Sequence, residues 1–171
     1  MPILPVAMMA AWTLASAAAA PGAVTKPEVI AFGASVADIE KQLTSRCTKM
    51  DVRTFDPPRM PIAKNLHQQI DCQGFQFMGE PRLAEFVFAD DRLQLVWILV
   101  DADDQERIIA AMRETYHSQG LENKMAIAFP EHRTAWRFEP AEVLFYSGEV
   151  APMFEARFGE ASSNDAAQPK D

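Results

Sequence analysis

The sequence predicts an α+β protein, with one or two antiparallel sheets of about 6–8 short strands and two helices on one face. Three observations carry that expectation. Two stretches have apolar residues at helical spacing, each opening on capping acids. The segments after each of them alternate at period two or run continuously apolar. Glycine, proline and aspartate stand at the joints, so the order reads helix, strands, helix, strands.

Residues 1–25 carry no charged side chain, and an apolar run from Ile3 to Leu14 leads into ASAAAA before Pro21. Ala17 and Ala19 supply the small residues a signal peptidase accepts, so residues 1–19 read as a signal peptide. No Lys or Arg precedes the apolar run, and a retained membrane anchor is the rival reading. Residues 20–30 are expected to be a linker and 31–159 a single domain. The repeated order also divides that domain into tandem halves, 31–102 and 103–159. The last residues, 160–171, lack any apolar period and are expected to form a disordered tail.

Each element has its own signal. Ser35 with Asp38 three residues on marks a helix start, and Val36, Ile39, Leu43 and Cys47 share one face of that helix. Met50–Phe55 is a short strand, ended by the prolines of DPPRMP. Ile70 and Cys72 differ in parity from Phe75 and Phe77, so a bulge at Gly74 should bring all four to one side. Leu83–Phe88 and Leu93–Val100 form a hairpin around Ala89-Asp90-Asp91-Arg92. Asp103 and Glu106 open a second helix, with Ile108, Ile109, Met112 and Tyr116 as its stripe and Gly120 as its stop. Met125–Phe129, Thr134–Phe138, Glu142–Ser147 and Phe154–Phe158 are four further strands.

Parity also assigns faces. Phe86, Phe88, Leu95 and Trp97 are expected to face the helices, with Trp97 under the second helix against Ile108 or Met112. Leu83, Val87, Val96 and Ile98 then point to the open face and form the candidate binding surface, the competing expectation being that the Met50–Met60 segment, the second half of the chain or sheet curvature buries them.

The formal charge of −8 lies wholly outside the leader. A chain without a basic stripe is not built for nucleic acid, nor for an anionic membrane surface. Two cysteines, Cys47 and Cys72, in an exported chain predict a disulfide worth about 3 kcal/mol. His67, His117 and His132 stand at no metal-ligand spacing. Asp101, Asp103 and Asp104 lack the glycine and distal glutamate of a calcium loop and read as helix-start carboxylates. No nucleophile elbow, phosphate loop or dinucleotide fingerprint is present. No catalytic residue, metal or cofactor is therefore assigned.

The turn FGAS, the helix ending at Cys47 and the meander FVFADDRLQLVWIL resemble the small exported modules of the β-lactamase-inhibitory-protein type. The small lipoprotein of the outer-membrane β-barrel assembly machine is similar in architecture, although this chain lacks its lipid-bearing cysteine. The resemblance covers roughly residues 31–117. It implies a protein that binds other proteins and does no chemistry. The expected function is thus a non-catalytic exported module, periplasmic or secreted and with no membrane span in its mature form. Its open sheet face would bind a protein partner, a small ligand or a second copy. The competing reading is a small exported hydrolase that draws on His67, His117, His132, Asp71 and Glu85.

Overall fold

A computed structural model describes residues 22–165, so the leader reading of 1–19 lies outside the described residues. The first helix, α1 (Val36–Leu43), begins as expected: Ser35 Oγ accepts from the Asp38 N–H at 3.2 Å and donates to the Asp38 carboxylate at 2.7 Å. Val36, Ile39 and Leu43 are its buried stripe. It stops a turn short of Cys47. Thr44 turns its hydroxyl back onto the Glu40 carbonyl, a local bond that competes with further helix, and Cys47 follows just after the turn at 44–46.

Four strands come next: β1 (Lys49–Phe55), β2 (His67–Phe77), β3 (Glu80–Ala89) and β4 (Arg92–Leu99). The register of β2 against β3 shifts between Gln73 and Phe75, and Ile70, Cys72, Phe75 and Phe77 all enter one core, as the bulge at Gly74 predicts. Gly74 has φ +77°, and a Cβ there would lie 2.7 Å from Thr48 Cγ2, so only glycine fits. Asp90 and Asp91, at φ 49° and 59°, make the two-residue turn between β3 and β4. Their side chains do more than turn the chain. Asp90 accepts from the backbone N–H groups of Lys64, Asn65 and Leu66, which hold its carboxyl below the usual range. Asp91 accepts from the Val36 N–H at 2.9 Å and so caps α1.

The second helix, α2 (Gln105–Tyr116), buries Ile108, Ala111 and Met112. It stops before Gly120 because His117 already takes the left-handed conformation, at φ 49°. The carboxylates at its start do not cap it. Asp101 and Asp104 instead hold the buried guanidinium of Arg82 on β3, and Asp104 also pairs with Arg107. The strands β5 (Leu121–Glu122), β6 (Ala126–Phe129), β7 (Thr134–Arg137) and β8 (Glu142–Tyr146) follow.

All eight strands form one antiparallel sheet in the order β1-β2-β3-β4-β8-β7-β6-β5. The two halves of the chain join where Leu95 to Leu99 of β4 pair with Tyr146 to Glu142 of β8. On the first face, α1 and α2 bury Phe86, Val96, Ile98, Trp136 and Phe145. The expected linker belongs here too. Val24, Val29 and Ile30 lie in this core, the Val24 N–H donates to Thr115, and Tyr116 donates to the Val24 carbonyl.

The last expected strand is a helix. Phe154 and Phe158 are four residues apart, a spacing that suits a helix as well as a strand, and α3 (Ala151–Asp165) runs past the residue where a tail was expected to begin. Pro152 sits in its first turn, where a missing N–H costs nothing. This third helix covers the second face, together with the 56–66 loop, over a smaller core of Val87, Leu95, Leu144, Tyr146 and Phe154. No helix among the described residues is long and apolar enough to cross a membrane.

The face assignment within the hairpin is therefore corrected. Val87 pairs with Leu95 and Phe88 with Leu93, so Gln94 is an extra residue on β4 and breaks the expected alternation. Phe86 lies opposite Val96 and Ala84 opposite Ile98, which places Val96 and Ile98 fully buried beneath α1 and α2. Trp97 is on the other face, half-buried, against Phe154 rather than Ile108 or Met112. Gln94 tolerates burial because it is bonded to Ser147 and to Glu149.

Cys47 and Cys72 form a disulfide, with Cα atoms 5.2 Å apart, that ties the turn after α1 to β2. Such a bond belongs to an oxidising compartment rather than the reducing cytosol.

Candidate functional site

Beyond the reach of the 56–66 loop, the second face opens into a groove of about 410 Å³. Alternation along β7 and β8 turns Ala135 and Leu144 toward it, and Ala126 on β6 continues the floor. Two of these three are alanines, and their small side chains leave the depth. Phe154, Arg157 and Phe158 of α3 form one wall, Lys124 and Met125 the other. Trp97 stands at the end, its ring 6.3 Å from that of Phe154.

Arg137 is the polar centre. Its guanidinium lies 4.7 Å from the Trp97 ring centroid and forms an ion pair with Glu142, its register partner on β8. Glu142 is almost fully buried, and burial pushes its carboxyl up to about 7, with Arg137 opposing the shift and the charge of Glu85 adding to it. Glu85, the cross-strand partner of Trp97, is itself raised by burial and by Asp71.

The sign of the Glu142 shift gives a pH prediction. The folded chain holds this proton more tightly than the unfolded chain, whose carboxyl titrates near 4.5. The stability it contributes is complete below that value and is lost as pH rises to about 7. Glu142→Gln removes the titration, so denaturant midpoints measured on either side of that window should differ less in the variant than in the parent. An equal fall in both would assign the pH dependence to another group.

Of the four expected surface residues, Leu83 and Val87 are on the second face, outside the groove, and Val87 is buried within the smaller core. Val96 and Ile98 are on the first face, as described. Sequence reasoning missed Trp97, Arg137 and Phe154 as site residues. The i, i+4 spacing of Phe154 and Phe158 was the available signal.

The residues of the hydrolase reading fall into three places. His67 is buried against Phe55, its Nδ1 accepting from the Arg59 N–H, and burial lowers its pKa. Asp71 and Glu85 face each other across β2 and β3, with Arg53 bound to Asp71 at 2.6 Å. His117 and His132 line a second hollow of about 530 Å³ at the end of α2, where His132 stacks on Tyr116 at 4.4 Å. Neither of those two imidazoles is hydrogen-bonded to a carboxylate or hydroxyl among the described residues, so these two histidines form no base–nucleophile pair there. No cluster of three metal-ligating side chains occurs among the described residues.

Fold and groove together define a disulfide-bonded α+β protein whose single sheet is clad on both faces, with a cation-rimmed apolar groove on the second. The chain belongs to a family described as "Uncharacterised protein", whose model matches residues 28–161. No curated protein and no solved structure matches the chain.

Proposed function

We propose that this protein is an exported binding module, periplasmic or secreted, that does no chemistry and takes a ligand into the groove beside Trp97. The observation that carries the reading is the composition of that groove. Trp97, Met125, Phe154 and Phe158 supply apolar surface, and Lys124, Arg137 and Arg157 line it together with one carboxylate, Glu139, while Glu142 pairs with Arg137. In a chain of charge −8, cationic side chains gathered along an apolar groove favour a ligand with an apolar body and an anionic group. The resemblance to exported modules that bind without catalysis supports the same reading.

Calorimetric titration with decanoate and decylamine tests it. Decanoate should bind saturably and decylamine should not, and Trp97→Ala or Arg137→Gln should each weaken decanoate binding. Equal binding of the amine, or unchanged affinity in both variants, would overturn the proposal.

A further inference from the structure

The two edges of the sheet are treated differently. At one edge β5 has two residues, too few to template another chain. At the other, β1 runs for seven residues, Lys49–Phe55, with no proline or glycine, and Asp51, Val52, Arg53 and Thr54 are all exposed. Its outer backbone groups pair with no strand among the described residues.

The order of side chains on β1 is self-complementary about Val52. A second copy that adds antiparallel, keeping α1 and α2 of both copies on one side, must pair residues of like parity. Three such registers are close. Centred on Asp51, the pairing sets Asp51 against Asp51 and Lys49 against Arg53. Centred on Arg53, it sets Arg53 against Arg53. Centred on Val52, it sets Asp51 against Arg53 twice, Lys49 against Phe55 twice, Met50 against Thr54 twice and Val52 against Val52. Of these three only the last brings opposite charges together and sets the exposed valine against itself; a register centred on Met50 would also pair Lys49 with Asp51 but would leave Arg53, Thr54 and Phe55 without strand partners. The register about Val52 also uses the whole strand, since Pro57 and Pro58 end the pairing just beyond Phe55. Arg53 is exposed at this edge and is held by Asp71 on β2, with Glu85 3.9 Å away, so in the dimer its guanidinium would be shared between these carboxylates and the partner's Asp51.

We propose that β1 is the seam of a two-fold symmetric dimer, in which two copies pair antiparallel about Val52 and their sheets become one. The partner is a second copy of this chain, and the seam is independent of the groove.

Sedimentation equilibrium of the mature protein, with variants, tests the seam. The parent should show a concentration-dependent monomer–dimer equilibrium. Asp51→Lys should weaken it by roughly tenfold or more, because like charges then meet twice. Arg53→Glu should do the same. Mixing these two variants restores both opposite-charge pairs, so a heterodimer should form where neither variant dimerises alone. As a control on folding, oxidation of Val52→Cys should cross-link two chains, whereas Thr54→Cys should cross-link much less. A parent that stays monomeric, a dimer indifferent to Asp51→Lys, or cross-linking no better at position 52 than at 54 would each overturn the seam.

Discussion

Trp136→Ala is expected to cost about 3–5 kcal/mol, and Trp97→Ala much less, although both tryptophans lie on neighbouring parts of one sheet. Trp136 is completely buried in the larger core, under the helices, with Ile127 and Val143 as its cross-strand neighbours. Removing it leaves a void that β-sheet backbone on both sides cannot close. Trp97 is half-buried and borders an open groove, so water or a shifted Phe154 can fill the space it leaves. Trp136 Nε1 has no hydrogen-bond partner among the described residues, so Trp136→Phe should lose volume but no bond. Urea unfolding of the three variants should therefore rank Trp136→Ala far below Trp136→Phe and Trp97→Ala. A domain of this size has about 5–15 kcal/mol in all, so the first variant would forfeit a large share. Similar losses at both tryptophans would contradict the placement of the two faces.

Cys47→Ala combined with Cys72→Ala should lower stability by about 3 kcal/mol. The bond closes a loop of sequence separation 25, and opening it frees that loop in the unfolded chain. Cys72 is wholly buried and Cys47 only partly, so reductant should break the bond more readily once the chain unfolds. The check is a pair of denaturation curves, one for the double variant and one for the parent unfolded under reductant. Agreement between them, both below the oxidised parent, is the expected outcome. Coincidence of all three would show that the bond constrains nothing.

Local chemistry made much of this fold legible. Ser35 and Asp38 announced α1, Gly74 announced its bulge, and Asp90-Asp91 announced the hairpin, because each device acts within a few residues. Gln94 announced nothing. Its bulge depends on which residues of β3 it meets, and that single extra residue exchanged the faces of Val96 and Trp97. The Phe154–Phe158 segment failed for another reason. Two aromatic residues four apart satisfy both periods, and only the uncovered face of the sheet decides between helix and strand. The groove inherits both errors, since Trp97 and Phe154 are two of its walls. Arg137 and Glu142 were invisible as a pair because a register, not a spacing, brings them together.

The junction of β4 and β8 has a consequence for how the chain matures. As the polypeptide emerges from its N-terminus, β1 to β4 can assemble early, each strand beside its sequence neighbour. The outer rim of β4, apolar at six of its eight positions, then stays bare until β8 arrives, because Leu95 must wait for Tyr146. During that interval the nascent half exposes its stickiest rim, and only the last-made strand and helix seal it. A chain truncated before Glu142 would be arrested in that state, and its fate would be capture by a chaperone or by another truncated copy.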